Sequence, residues 1–545
     1  MGDSLIGTGL SGLRAAQIGL ATTGHNISNA LTPGYSRQDL VQAANLPRFT
    51  GSGYIGQGTS VTTIRRNFDE VVESQLRHAQ SQSSRYDTQF ESIKRIDDLL
   101  ADPKAGLSPV IDAFFGAVQD LATRPADGAT RQSLISASQA LVARFRDVDN
   151  QLAQARTEVN DRIRSSVELI NSYSEQIGQL NQQIALASGN GSGDQVPNDL
   201  LDQRDAAMRE LAKEVNISVT KRADGGIDVF SGRGQALVTG NRAYRLAASP
   251  GAFDSRDVEL SLQTDSASVR IRATDFSGGN LAGYVAFRDE SLTLTENSIG
   301  RLASALTQSF NRQHRLGLDR DGLAGGDFLG VSEPQALPSS RNSGSATLNV
   351  SIADIGQVTA SNYELRFDGA NYQLKRLTDG TTQSFASLPQ TVDGLTIALG
   401  AGAPASADVF EIRPTRSAVS TMATLVTDPN KIAAGLTSAA GDNRNALALA
   451  QVQNLGLLDG GRTNLQGAYA QMVGQIGNRT LESKLASEAN SNIYDATLQK
   501  QQSIAGVNLD EEAANLIRYQ QAYQAASKVI GIAQMLFDEI LRITR

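Results

Sequence analysis

Over residues 506–545 the apolar positions Leu516, Tyr519, Tyr523, Ala526, Ile530, Ala533, Phe537 and Ile540 alternate by three and four residues. That spacing lines side chains along one seam of a coiled-coil helix. Arg518, Gln521, Gln524, Ser527 and Lys528 fall on the other face. Asn508 is placed to cap this helix, Asp510 and Glu511 put carboxylates in its first turn, and Glu511 stands where a capping box requires it. The other end of the chain repeats the pattern through Ile6, Gly9, Leu13, Ala16, Leu20, Thr23 and Ile27, with Leu10 widening the stripe. The two ends therefore read as halves of one coiled coil. An amphipathic end helix more commonly packs on a globular core. Here, however, small residues (Gly9, Gly12, Ala15, Ala16, Gly19; Ala522, Ala525, Ala526) crowd both seams, permitting close backbones but burying little area. Both ends are expected to be disordered in the monomer and to fold on assembly with neighbours.

Between the ends the period changes several times. Pro33-Gly34 stops the first helix near Ala30, because the residue before proline is pushed out of the helical region. Residues 51–66 read as a short hairpin or loop. Helical periodicity then predicts helices over 68–100, over 108–123 and from about Arg131 to Ser188. The last has a one-residue slip between Val159 and Ile163 and a Gly/Ser linker at 188–193. Pro197-Asn198-Asp199-Leu200-Leu201-Asp202-Gln203-Arg204-Asp205 reads as a capped helix start. By themselves its carboxylates and Arg204 form a solvated, mutually paired face. Period-two runs fill 216–276, with Asp224-Gly225-Gly226 as a hairpin turn. A helix follows from Gly283 to about His314, a Gly/Ser/Pro linker occupies 322–345, and a second β domain spans 348–414. Helix returns over 439–488 and merges into the final segment. The chain leaves a helical core, makes β excursions and comes back in reverse order, which places both termini at one end.

The run Asn26-Ile27-Ser28-Asn29-Ala30-Leu31-Thr32-Pro33-Gly34-Tyr35 resembles the N-terminal signature of the bacterial flagellar axial proteins, which build rod, hook and hook-filament junction. Gly506-Val507-Asn508-Leu509-Asp510-Glu511-Glu512, followed by Tyr519-Gln520-Gln521-Ala522-Tyr523, is similar to the C-terminal signature of the same family. The pair is far more specific than either run alone. The stretch Asn198 to Asp205, and Leu281 to His314 with Phe287-Arg288-Asp289-Glu290, resemble the junction members in particular. The resemblance implies a ring of identical subunits between hook and filament, exported unfolded by the flagellar type III apparatus. It further implies an export chaperone at the C-terminal helix, and contacts with hook protein below and hook-associated protein 3 above.

Composition narrows the alternatives. The 545 residues carry a net charge of -8, so a basic surface for phosphate neutralisation is lacking and nucleic acid is not the expected partner. There are no cysteines and hence no disulfide framework or thiolate metal site. No apolar run has the length of a membrane span. No basic-then-apolar leader opens the chain, so a route out of the cell would remove no such signal. Gly7 to Gly12 and Gly51 to Gly56 both satisfy G-x-G-x-x-G, but neither has a strand before it and a helix after it, as a phosphate cradle needs. Of the three histidines, His25 is expected to help end the first helix and His78 and His314 to lie on the surface. Asp319, Asp321 and Asp327 resemble a calcium loop, yet Gly330 stands where the bidentate glutamate belongs. Neither an H-E-x-x-H nor a G-x-S-x-G pattern occurs.

The reading is an α+β multidomain structural protein, not an enzyme, with no cofactor or metal, located in the extracellular flagellum. The expected domains are a terminal coiled coil (1–49 and 500–545), a helical core (50–205, 278–321 and 425–499), a β-rich excursion (206–277), a linker (322–345) and an outer β domain (346–415). A hook or rod protein is the alternative within the class. An adhesin or enzyme domain carried on a flagellar scaffold is the alternative outside it.

Overall fold

The computed structural model describes residues 2–543 apart from 52, 103, 105, 190–196, 265–266 and 273–274; most of the expected linker at 188–193 thus lies outside the described residues. The helices are α1 (Gly2–Asn29), α2 (Glu70–Ala101), α3 (Ser108–Thr123), α4 (Gly128–Gly189), α5 (Asn198–Glu214), α6 (Gly279–Ala286), α7 (Thr293–His314), α8 (Arg444–Gln451), α9 (Leu465–Ala505) and α10 (Leu509–Ile543). Asp69 starts α2 by accepting from the N–H groups of Val71 and Val72, two of the donors a helix start leaves open. α4 runs 62 residues, about 90 Å. Its stripe is buried on both sides of the predicted slip, at Leu152 and Val159 before it and at Ile163 and Ile170 after it. α6 and α7 are joined without interruption through a π turn, Phe287–Leu292.

The core is continuous from α2 to α9, with Phe114, Phe310 and Phe328 meeting ring to ring at its centre (centroids 5.1 to 6.4 Å apart). The β excursion packs on α4 as a four-stranded and a three-stranded antiparallel sheet. The outer domain faces a five-stranded sheet against a three-stranded one around its own apolar cluster, which includes Tyr363, Leu365, Leu395 and Phe410. Buried charges join it to the rest. Arg413 of the outer domain pairs with Asp254 at 2.8 Å and with Asp257 at 3.4 Å, and Asp257 is in turn held by Arg156 at 3.1 Å.

Several expectations need correction. The expected hairpin at 51–66 begins earlier, because β1 (Gln38–Ala44) pairs with β4 (Thr59–Arg66) and the ribbon is extended by β2 (Arg48–Phe49) and β3 (Tyr54–Ile55); a boundary at residue 49 would cut it. The tract 322–345 is not a linker. Phe328 and Leu329 are fully buried, Leu329 pairs with Thr424, and Gln335–Pro338 is an edge strand of the outer sheet. Its Gly/Ser composition hid two core side chains. The helix expected over 439–488 breaks after α8, in a loop where Gly460 and Gly461 take positive φ of 69° and 84°. The capped start expected at 197–205 is not formed: Pro197 stands at the N-cap position of α5 and no side chain caps it.

His314 is also misplaced by the sequence reading: it is fully buried. Its Nδ1 donates to the carbonyl of Gly326 at 2.8 Å, and its Nε2 accepts from the N–H of Ala433 at 2.9 Å. Burial holds its pKa below the ordinary value, against the opposing pull of Asp327 and Asp319. The unfolded chain therefore takes up the proton first. The contribution is complete above about pH 6.5 and is lost as pH falls toward the lowered folded value. Asp149, pushed up to about 6 by burial and by Glu296, shifts stability the opposite way below that pH, so the parent must be compared with a variant. His314→Gln is expected to lose less stability than the parent between about pH 7.5 and pH 5.5 in urea titrations; equal losses would contradict the assignment.

Candidate assembly interface

α1 and α10 run antiparallel, and their glycines give the register. A Cβ on Gly9 would lie 2.8 Å from Cγ1 of Ile530, one on Gly12 3.6 Å from Cβ of Ala526, and one on Gly19 2.6 Å from the ring of Tyr519. Ala16, Thr23 and Asn26 are buried on the same stripe. The seam on α1 is thus built from small residues, and the backbones approach closely because nothing larger intervenes.

This differs from the seam drawn on apolar spacing. Tyr519 and Ile530 meet α1, and Tyr523 is half-buried between them. Ile6, Leu13 and Leu20 flank the contact half-buried, while Ile27, Leu516, Phe537 and Ile540 are exposed in the single chain. Gly9, Ala16 and Thr23 belong to both stripes, while Gly12, Gly19 and Asn26 take the places drawn at Leu13, Leu20 and Ile27, a rotation of the α1 seam by about 50°.

At the end of the pair nearest the core, residues 34–38 thread between four helices. Gly34 turns at φ 85°, where a Cβ would meet the Arg209 guanidinium at 2.9 Å and the Ala206 methyl at 3.3 Å. The left-handed conformation favours glycine, and the Ala206 methyl leaves little room for a side chain. Beyond it, the Asn26 amide is fully used. Its Nδ2 donates to the Gln38 carbonyl (2.9 Å) and to Glu512 (3.1 Å), and its Oδ1 accepts from the Tyr35 hydroxyl (2.7 Å) and the Gln38 N–H (3.0 Å). Arg37 closes the clasp by donating to Glu512 at 2.8 Å and Glu511 at 2.6 Å, while its N–H takes the carbonyl of Ala505 at the end of α9 (2.8 Å). Glu511 therefore serves Arg37, while the Asn508 side chain accepts from the N–H groups of Asp510 and Glu511 as a cap.

The run Asn198 to Asp205 supplies the other jaw, and here the expectation of a solvated face fails. Asp202 and Asp205 are buried, sharing Arg66 at 2.9 and 2.5 Å, and Asp202 also accepts from the N–H of Ser36 at 2.9 Å. Arg204 is buried too and donates to Asn181 and to the Gly225 carbonyl. Asp199 accepts from Gln38 at 2.9 Å and approaches His25 at 3.4 Å, and Asn198 donates to the Ile64 carbonyl at 2.9 Å. Asn29 turns back onto the His25 carbonyl, and Pro33 leads into the Gly34 turn. Burial raises the pKa of Asp202 despite Ser36 and Arg66. Burial and the carboxylates of Asp199, Asp202 and Glu512 lift Tyr35 well above its ordinary value, so it stays a donor to Asn26.

Ser36, Arg37, Gln38, Arg66 and Glu512 are the members sequence reasoning left out of the site. A cation three residues after the Pro-Gly turn and a second acid beside Glu511 were the available signals. Elsewhere, the calcium-like aspartates are answered by a side chain: the Lys431 ammonium lies 3.3 Å from Asp319 and 2.8 Å from Asp321. Among the described residues no cluster of metal-binding type occurs, and no helix is long and apolar enough to cross a membrane.

Comparison with known proteins gives concordant matches. Three family models match: "Flagellar hook-associated protein FlgK helical domain" over residues 93–329, "Flagellar hook-associated protein 1, D2-like domain" over 337–414, and "Flagellar basal body rod FlgEFG protein C-terminal" over 499–543. The flagellar hook-associated protein 1 of Escherichia coli K12 is 36% identical over 99% of this chain and 100% of its own, and that of Salmonella typhimurium LT2 is 37% identical over the same shares. The structure of the flagellar hook junction protein FlgK from Burkholderia pseudomallei superposes with a TM-score of 0.74 at 27% identity, covering 79% of this chain and 100% of that one.

Two measurements test the interface. In a chain without cysteine, Gly12→Cys with Ala526→Cys places two Cβ atoms 3.6 Å apart, within disulfide range; oxidation of the assembled protein is expected to give an intrachain bridge, and its absence there would refute the register. Arg66→Ala strands two buried carboxylates and is expected to cost about 3–5 kcal/mol in urea unfolding. A cost under about 1 kcal/mol would mean the acids are solvated after all.

Proposed function

The chain belongs to the flagellar hook-associated protein 1 family, and on that premise we propose how its ends carry out the family's role. It is a structural subunit of the bacterial flagellar hook-filament junction. The proposal is that subunits join by lateral packing of the α1–α10 pair into a ring after type III export, with ends that order only on incorporation. Hook protein and hook-associated protein 3 are the neighbours proposed on either side, and an export chaperone is proposed to cover α10 beforehand. The match of residues 337–414 to the D2-like domain of flagellar hook-associated protein 1 supports a structural role for the outer β domain.

The observation that carries this is the composition of the last turns of α10. Val529, Ile530, Ile532, Ala533, Met535, Leu536 and Phe537 cover more than half of the circumference, all but the sector of Gly531, Gln534 and Asp538, whereas α1 covers one side only. Ile532 and Met535 remain 53% and 65% exposed. An apolar face this wide belongs against protein, and within one chain its outward part is left uncovered. Packing against further copies would satisfy it.

Ile532 does not face α1, so Ile532→Asp changes only the outward side of α10 and should abolish incorporation. Electron microscopy of the complemented deletion strain, with an assay of flagellin in the medium, is the check. Bare hooks with flagellin lost to the medium are expected for both the deletion and Ile532→Asp. Normal filaments on Ile532→Asp would refute the packing model, and normal filaments on the deletion would refute the junction role.

A further inference from the structure

The ribbon that follows α1 ends in a surface the chain itself does not use. Its root is held: the Thr59 N–H donates to the Ser11 hydroxyl at 3.2 Å, and Gly58 lies against Ser11 at φ 83°. Beyond Asn45, whose N–H meets the Gly58 carbonyl at 3.0 Å, the tip projects as β2 and β3. Leu46 is 89% exposed and Tyr54 74%, with Phe49 and Ile55 exposed beside them, and the Phe49 and Tyr54 rings pair at 5.3 Å. The one charge from Ala44 to Gly58 is Arg48, which forms no ion pair among the described residues. A bare two-strand ribbon is marginal in water, and exposed apolar clusters of this kind mark contact surfaces.

We infer that the ribbon tip docks on α10 of a second copy of this chain, at the face carrying Gly531, Met535 and Asp538. Resting on the ring reading above, the inference adds which surfaces meet. Gly531, Met535 and Asp538 are spaced four and three apart, so they share one face. A Cβ on Gly531 would touch nothing within 4 Å, which leaves an open notch beside the exposed Met535 thioether. Aromatic rings pack favourably on such a thioether. Asp538 is exposed and, among the described residues, forms no ion pair, whereas its neighbour Glu539 approaches Arg542 at 3.6 Å. Arg48 of one copy thus has a carboxylate to meet in the next. The two surfaces differ, so their contact is head-to-tail and propagates around a ring rather than closing a pair.

The test places p-benzoylphenylalanine at Tyr54, and separately at Phe49, in cells that assemble the full-length chain, with adducts from isolated junctions mapped by mass spectrometry. The expected adduct joins the ribbon to 531–538 of a second copy. Arg48→Glu or Asp538→Arg alone should lower its yield about threefold, and the two together should restore it, as an exposed ion pair would. Adducts on hook protein, on another segment of this chain, or none in junctions that still hold filaments would overturn the inference while leaving the junction role standing. Formation of the Gly12–Ala526 disulfide in the same preparations shows that the helix pair itself is in place.

Discussion

Glu512 is a carboxylate with 1% of its surface exposed, and the geometry of the terminal pair hangs on it. One oxygen accepts from Asn26 and the other from Arg37. A carboxylate withdrawn from water without such partners costs several kcal/mol. α10 therefore has one docking position on the core, the one that brings its first turn over Asn26 and Arg37. The helix extends 35 residues from there, about 50 Å, so a small angular error at the clasp would become a displacement of many ångströms at the far end. Arg37 guards against that error because the same residue also holds the last carbonyl of α9, which ties the entry of α10 to the exit of its predecessor.

Distance and direction are set by different chemistry. The glycine and alanine stripe of α1 fixes how near α10 lies, since Tyr519 and Ile530 already occupy the space a Cβ on Gly19 or Gly9 would need. Those residues contribute little apolar area, so the seam supplies fit rather than strong cohesion. Buried ion pairs are likewise a poor source of net stability but discriminate strongly between arrangements. A terminal unit assembled from these two devices is well defined in shape and modest in internal stability, which suits a part that is completed by its neighbours.

Much of this was legible in the sequence where the signal is local. The helix over 108–123 emerged at its observed limits because Pro125 and the apolar spacing agree, and the nested order of helix and strand placed the termini together. The failures share a cause. Asp202 and Asp205 read as surface charges because their counter-ion, Arg66, stands more than 130 residues away, and no spacing rule reaches that far. His314 lost its histidine-like exposure to acceptor and donor groups from Gly326 and Ala433, supplied by loops. The α1 seam was drawn right in part: its small residues signalled close backbones, but Leu13, Leu20 and Ile27 were added on apolar bulk, whereas at close interhelical distance it is the absence of bulk that marks contact. Gly9, Gly12 and Gly19, spaced three and seven apart, carried that information from the start.

The distal turns of α10 press the same point from the opposite side. Where α1 lies, the seam of α10 is narrow and its back carries Gln521, Gln524 and Lys528, as expected of a helix with one partner and solvent behind it. From Val529 onward the polar back gives way to Ile532 and Met535, although the partner is still α1 alone and still on one side. A change in the width of the apolar face with no change in the covering element cannot be explained within one chain. The proposed packing against further copies would account for it, because the surroundings of the helix would then change along its length, from one neighbour and water to protein on its outward side as well.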